Sequence, residues 1–333
     1  MGNRKLRGAI IGCGYFGRIH LEAWRRMRGV EIVAACDARL ELAQAAAPSA
    51  YTDASVMVAA EALDFVDIAT RPASHFPLVR MAVERGIAAI CQKPMTEDMA
   101  QALDMLRMVK QSGARVMVHE NWRWQPWFRE AKRLIAGGAI GQPLTYRFHM
   151  RQRDGLGDRP YPNQPYFREM PRLLLYETLI HPIDTARFLF GEIDVVQAHL
   201  RRVNPGIAGE DRAIALLVHA NGVDGIADGH RFLNADPPGP AMGESVFEGG
   251  EAALKILANG ECYLNGKLVF SHPADVGYKG DSVRATQSHF IDCLHSGAPF
   301  ETGVEEYLPS FAAVEAGYRS VAEQRAVRVA ELL

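Results

Sequence analysis

A chain of 333 residues that is 48% hydrophobic and 23% charged has enough apolar material for two globular domains, without the bias of a disordered or fibrous chain. A net charge of −2, with no long basic run, argues against nucleic acid or an anionic membrane as partner. The five cysteines, Cys13, Cys36, Cys91, Cys262 and Cys293, are scattered and form no Cys-x-x-Cys pair, which fits a reduced, cytoplasmic setting better than a disulfide framework or a zinc site.

No apolar run approaches membrane-spanning length. The opening MGNRKLRGAI lacks the apolar core of a signal peptide, and Leu6 stands where N-myristoylation needs Ser or Thr. From residue 6 the chain alternates. LRGAII (6–11), VEIVAAC (30–36), FVDIAT (65–70), IAAIC (87–91) and RVMVHE (115–120) read as buried strands, with a short strand near Tyr51. Helical patterns fill 17–27, 39–46, 74–85 and 96–111. Strands alternating with helices imply right-handed βαβ units and a doubly wound parallel sheet, whose ligands bind beyond the carboxyl ends of its strands.

The rest reads differently. A helix over 127–135 is followed by strand candidates at 143–152, 192–202, 212–220, 225–233, 252–260 and 261–270, with Ala258-Asn259-Gly260 as a hairpin signal between the last two. Helices over 282–295 and 305–323 follow. This predicts an α+β second domain with a large, mainly antiparallel open sheet. The expected domains are 1–123 and 124–333, with the last helices free to pack back on the first domain.

GAIIGCGYFGRIH carries Gly12-x-Gly14-x-x-Gly17 between a strand and a helix. The first glycine permits the turn, the second admits a pyrophosphate, and the third lets helix and strand pack closely; Tyr15 and Phe16 complete the loop. Asp37 ends the second strand, where a carboxylate suits an adenosine ribose diol and repels a 2′-phosphate. NAD is therefore preferred to NADP, and neighbouring Arg39 moderates that preference. A glycine turn without a nucleotide is the competing reading, and the agreement of strand, helix and acid weighs against it.

Further motifs follow in order: Thr70-x-Pro-x-x-His75, then Gln92-Lys93-Pro94 at the end of the fourth strong strand. Next come the aromatic-arginine turn Asn121-Trp-Arg123-Trp124, Gly-x-Ile-Gly-x-Pro, and YETLIHPIDTARFLFG. Together with the glycine loop and the ending ETGVEEYLPSFAAVEAGYRSVAEQRAV, they resemble the Gfo/Idh/MocA oxidoreductase family over nearly the whole chain. The resemblance implies an NAD(P)-dependent enzyme acting on sugars or polyols.

Within that resemblance Lys93 lies near the nicotinamide and the reacting hydroxyl, where an ammonium stabilises developing negative charge. The family's usual Glu before the lysine is here Gln92, which keeps a hydrogen bond to a nicotinamide ribose without a charge. The family's acid-x-x-x-His signature, often with Asp, is here Glu177 and His181. His181 is the expected general base and Glu177 its orienting partner. Pro182 implies that the helix starts near Thr178 or kinks there. Asp184 is expected either to touch substrate hydroxyls or to support the histidine. Thr70 and His75 are expected to border the dinucleotide, and Asn121, Arg123 and Trp124 to face substrate. Trp122, Trp124 and Trp127 have interdomain packing as the alternative. The 159–172 loop reads as a substrate lid or an oligomer arm, and no residue set has metal-ligand spacing.

The function expected is oxidation of an aldose at its anomeric carbon to a lactone, with D-apiose as one candidate. The alternatives are a secondary-alcohol dehydrogenase of the inositol type and a non-catalytic NAD(H) sensor. The expected partners are a small sugar or polyol and, by resemblance, a second copy of the chain in a homodimer or homotetramer.

Overall fold

The computed structural model describes residues 4–273 and 276–333. Met1-Gly2-Asn3, on which part of the expectation about secretion and acylation rests, lies outside them. The chain forms two compact units. One runs to Asn121 and takes back Asp281–Leu308; the other comprises Trp122–Gly280 and Pro309–Leu333.

The first unit alternates β1 (Leu6–Ile11), α1 (Tyr15–Arg25), β2 (Val30–Cys36), α2 (Leu40–Ala46), β3 (Ser49–Tyr51), α3 (Ala54–Ala60) and β4 (Phe65–Ile68). It continues with α4 (His75–Glu84), β5 (Ala88–Gln92), α5 (Met99–Ser112) and β6 (Val116–His119). All strand pairs are parallel, in the order β3-β2-β1-β4-β5-β6. The order reverses between β1 and β4, the switch point at which such sheets open a ligand crevice.

The strands are apolar because both faces are covered. One core joins Ile10, Leu21, Ala35 and Ala43. The other joins Trp24, Phe65, Ile90 and Met117 to Phe290 and Phe300. Phe290 belongs to the returning helix, α8 below.

Two of the differences from the sequence reading have local reasons. Helix α5 starts at Met99 because the Asp98 carboxylate accepts from the Gln101 N–H, an N-cap that ends the preceding turn. Helix α3, absent from that reading, is capped in the same way by Asp53, which accepts from the Ser55 and Val56 N–H groups.

The second unit contains α6 (Pro126–Ala136), β7 (Pro143–Arg151), α7 (Ile180–Phe190), β8 (Ile193–Arg201), β9 (Arg212–His219) and β10 (Asp224–His230). Strands β11 (Gly243–Gly249), β12 (Ala253–Ile256), β13 (Cys262–Leu264) and β14 (Lys267–Phe270) follow. Helix α8 (Ser282–Ser296) lies in the first unit, α9 (Val304–Glu323) runs from the first unit into the second, and β15 (Val327–Arg328) ends the sheet.

The sheet order is β14-β13-β12-β11-β7-β10-β9-β8-β15. Every pair is antiparallel except β7 with β10. Burial alternates along the strands: Tyr146, Phe148 and Met150 of β7 point inward with Ala213, Ala215 and Leu217 of β9. Arg147 and Leu216 lie exposed on the outer face, which the described residues leave open there.

The reading of 261–270 as one strand is corrected to the hairpin β13–β14. Asn265 and Gly266 both take left-handed φ, of 46° and 79°, and turn the chain. All five cysteines are buried and free. Among the described residues no helix is long and apolar enough to cross a membrane.

Candidate functional site

In the first unit the glycine loop divides its work between packing and open space. A Cβ on Gly12, whose φ is +95°, would lie 2.6 Å from the Ala69 carbonyl oxygen, and one on Gly17 would lie 2.0 Å from the Gly12 oxygen. The chain's own folding therefore excludes side chains at both positions. A Cβ on Gly14 would meet nothing within 4 Å. Among the described residues nothing crowds that position, so the space it leaves open suits a ligand against the first turn of α1.

Asp37 is fixed beside this space. Its carboxylate accepts from the Cys13 N–H at 2.8 Å and from the Arg39 N–H at 3.0 Å. Both oxygens keep further acceptor capacity, as a ribose diol requires. The Arg39 side chain is 65% exposed and 3.9 Å from that carboxylate. Tyr15 and Phe16 are half-buried, with Phe16 set edge-on against the His20 ring at 5.2 Å between centroids.

Thr70 and His75 form the next loop. Ser74 Oγ donates to Thr70 Oγ1 at 2.7 Å. His75 is fully buried, with Nδ1 2.8 Å from the Pro94 carbonyl oxygen and Nε2 3.2 Å from that of Thr70. It ties the loop after β4 to the turn after β5. Burial, and to a smaller extent the charge on Lys93, pulls its pKa down to about 4, against the two carbonyl oxygens, which favour the charged ring.

Gln92 is buried, Lys93 is half-buried, and the Lys93–Pro94 peptide is cis. Asn121 is buried and donates through Nδ2 to Ser282 Oγ at 2.8 Å, within the same unit.

The second unit carries the other signature. Glu177 sits in a π-helical turn, Leu174–Thr178, and His181 in the first turn of α7. Pro182 is therefore harmless, because N–H groups in a first turn have no intrahelical partner. The His181 ring lies flat on Trp122, with 4.9 Å between centroids and 6° between planes. His181 is 7% exposed.

The π-turn is pinned from a distant loop. The Glu210 carboxylate accepts from the Leu173 and Leu175 N–H groups, at 3.2 and 3.0 Å, and from Tyr318 Oη at 2.5 Å. Thr178 Oγ1 donates to Glu177 Oε2 at 2.8 Å and accepts from Arg231 at 3.0 Å. Arg231 is buried and makes a two-point pair with Asp154, at 2.7 and 2.5 Å. Burial opposes the guanidinium's charge, but the Asp154 carboxylate outweighs it and raises Arg231 above its ordinary value.

Tyr161 and Phe167 of the 159–172 loop pack on that guanidinium and join a small core with Leu173 and Ile207. The middle of the loop is thus anchored in its own unit. Arg123 and Asp184 form a two-point pair: Nε and Nη2 donate to the two carboxylate oxygens at 2.8 and 2.6 Å, and Ser310 Oγ adds a third bond to Asp184 at 2.7 Å. Asp184 is completely buried, so the pair ties α7 to the turn that carries Trp122. Trp124 is half-buried with the Arg129 guanidinium over its ring at 3.5 Å.

Sequence reading missed Asp154, Glu210, Arg231 and Lys279. None belongs to a local motif, and the links from Arg231 to Asp154 and to Thr178 span 77 and 53 residues. Lys279 takes a left-handed φ of 47° and donates to the Pro240 carbonyl oxygen at 3.2 Å. Burial, together with the Arg231 charge, pulls it down to about 7.

The family described as "Oxidoreductase family, NAD-binding Rossmann fold" matches residues 6–120, and the one described as "GFO/IDH/MocA C-terminal domain" matches residues 128–241. A protein of Paraburkholderia graminis named D-apiose dehydrogenase is 37% identical, covering 99% of this chain and 91% of the relative. Inositol 2-dehydrogenase 4 of Saccharopolyspora erythraea is 31% identical, covering 76% of this chain and 75% of the relative.

Among solved structures, an oxidoreductase from Agrobacterium radiobacter in complex with NAD+, L-tartaric acid and magnesium superposes with a TM-score of 0.89. Its sequence is 34% identical, with 99% of this chain and 100% of that one covered. By these similarities the chain belongs to the Gfo/Idh/MocA family of NAD-binding oxidoreductases.

Proposed function

We propose that the chain oxidises an aldose at its anomeric carbon to a lactone, with D-apiose as the first substrate to test. The observation that carries this reading is the 37% identity, over 99% of the chain, to a protein named D-apiose dehydrogenase. Bound NAD supplies the hydride acceptor.

His181 takes the hydroxyl proton as the C–H electron pair leaves as hydride and the C=O bond forms. Its flat stacking on Trp122 fixes the plane of the imidazole. Glu177, held by the Thr178–Arg231–Asp154 chain, orients that ring and favours its protonated form. Lys93 donates a hydrogen bond to the same substrate oxygen and stabilises its developing negative charge. Asn121 and Trp124 complete the proposed substrate contacts, while Thr70 borders the dinucleotide.

The test is a screen of D-apiose, other aldoses and cyclitols at the nicotinamide absorbance band, with NAD and NADP side by side. Lys93→Ala and His181→Ala are expected to lose about a thousandfold in kcat while NAD binding, followed by fluorescence, holds within about threefold. Wild-type-like turnover in either variant overturns the assignment of that residue, and a clear preference for NADP overturns the role given to Asp37.

A second reading, oxidation of a ring secondary alcohol, draws on the 31% identity to an inositol 2-dehydrogenase. Product analysis separates them: a lactone supports the first and a ketone the second. The uncovered face of the nine-stranded sheet, with Leu216 40% exposed, supports pairing with a second copy, and light scattering checks it.

A further inference from the structure

Gln92, the residue at which the chain departs from the resembled Glu-Lys-Pro, sits at the centre of a buried hydrogen-bond chain within the first unit. Its amide orientation follows from one neighbour. The Lys93 backbone N–H, 2.8 Å away, can only donate, so the amide atom facing it is the oxygen. The amide nitrogen therefore faces His20 Nε2 at 3.0 Å and His119 Nδ1 at 3.3 Å.

An amide NH2 can only donate, so both ring nitrogens present lone pairs. The His20 proton is then on Nδ1, which lies 2.8 and 3.0 Å from the two oxygens of Asp67. The Trp24 indole N–H donates to the same carboxylate at 2.6 Å. The His119 proton is on Nε2, and its ring lies against His20 with 4.1 Å between centroids. All five side chains are 5% exposed or less. One proton arrangement satisfies every one of these bonds: two neutral imidazoles in opposite tautomers, with a single negative charge at Asp67.

A carboxylate at position 92 inverts this logic. It accepts only, so it needs a proton on His20 Nε2 and another on His119 Nδ1. With Asp67 holding the proton on Nδ1, His20 then becomes an imidazolium between two carboxylates.

We propose that Gln92 is a positioning residue that locks His20 and His119 as neutral, opposite tautomers and so fixes the strand end that presents Lys93. Asp67 then supplies the negative charge one imidazole further from that lysine than the usual Glu. The groups against the His20 ring are Asp67 from β4, Gln92 from β5, His119 from β6 and Phe16 from α1; Trp24 of α1 bonds Asp67, and Gln287 of α8 bonds the His20 carbonyl instead. Asp67 is the charged member of that set. The kinetic part of this inference rests on the dehydrogenase reading above; the tautomer part does not.

Nitrogen-15 NMR of the histidine-labelled protein tests it, with signals assigned by replacing single histidines with asparagine. The wild type is expected to show His20 as the neutral Nδ1–H and His119 as the neutral Nε2–H tautomer. Gln92→Glu is expected to convert His20 to the imidazolium, to lower kcat on the order of tenfold, and to add a titration to the kcat/KM profile.

Combining Gln92→Glu with Asp67→Asn mirrors the network. The amide introduced by Asp67→Asn then donates to His20 Nδ1, so His20 is expected to return to neutral with its proton on Nε2. An Nε2–H or imidazolium His20 in the wild type overturns the proposal even if no variant folds. So does a Gln92→Glu protein with unchanged histidine spectra and pH profile. Absence of turnover with every sugar refutes the dehydrogenase reading and leaves the tautomer result intact.

Discussion

In the six-stranded unit the buried carboxylate of Asp67 takes its hydrogen bonds from neutral groups, the His20 imidazole and the Trp24 indole. In the nine-stranded unit the carboxylates of Asp184 and Asp154 are each held by a two-point guanidinium, that of Arg123 or Arg231, with Ser310 and Gln152 adding single neutral bonds. The first solution sets where protons lie; the second sets where backbone segments lie. A hydrogen-bonded imidazole is directional and changes tautomer when its partners change, whereas a two-point Arg–Asp pair fixes geometry without any choice of proton. The two halves of the proposed catalytic pair follow that division. Lys93 leaves a proton-ordered strand end, and His181 rides on a turn held by the Glu210 carboxylate and, through Thr178 and α7, by two Arg–Asp pairs.

The largest effect that separates the two solutions is expected at Asp184. Asp184→Ala leaves the Arg123 guanidinium buried without its carboxylate, and breaking a buried pair costs about 3–5 kcal/mol. Asp67→Asn removes a charge from a network of neutral donors and leaves a mismatched hydrogen bond, which costs about 1–3 kcal/mol. Urea unfolding of both variants measures the difference. A larger loss at Asp67 than at Asp184 breaks the comparison.

Acid is expected to sharpen it. His75 in the first unit and His230 in the second are both pulled down from 6.5 to about 4, His75 by burial and, to a smaller extent, Lys93, and His230 by burial and the Arg151 and Arg212 charges. Between those values the unfolded chain binds protons that the native one refuses, so stability falls as pH drops from about 6.5 toward 4 and is level above that window. For fully buried His75 the loss is about 3 kcal/mol. Salt screens only the guanidinium share of the His230 shift and leaves the burial of both histidines untouched. Urea midpoints against pH are therefore expected to lose their slope more in His75→Gln at high salt than in a His230→Gln protein.

What the sequence disclosed follows the range of the interactions. The glycine loop, Gln92-Lys93-Pro94 and Glu177 with His181 are local patterns, and each could be read within a dozen residues. Strand β11 was missed because its inward positions are Gly243, Ser245 and Phe247, an alternation with one hydrophobic residue in three, following a Pro- and Gly-rich stretch. The partners of the candidate site were missed because they are remote in sequence. Asp67 is 47 residues from His20, and Glu210 is 35 from Leu175. Gln92 shows the boundary well: its identity was noticeable as a departure from the resembled motif, but its reason required His20 and His119, 72 and 27 residues away.

The smallest expected effects concern two glycines, one from each unit, which separate space kept for a ligand from space used for packing. Gly260, at a φ of +87°, would place a Cβ 2.5 Å from the Trp127 ring, inside the second unit's own core. Gly14 has a φ of −72° and no neighbour within 4 Å of its Cβ position. Gly260→Ala combines an unfavourable backbone with overpacking, and its expected cost is about 1–3 kcal/mol of stability with NAD affinity unchanged. Gly14→Ala meets neither penalty, and its stability is expected to stay within about 0.5 kcal/mol of the wild type. The added methyl group occupies the approach of a pyrophosphate to the first turn of α1, so NAD affinity is expected to fall by about tenfold or more. Calorimetric titration with NAD alongside thermal unfolding measures both quantities. A Gly14→Ala protein that loses stability but binds NAD normally would show that the loop's second glycine serves the fold, and that the space beside it is not where the cofactor's phosphates lie.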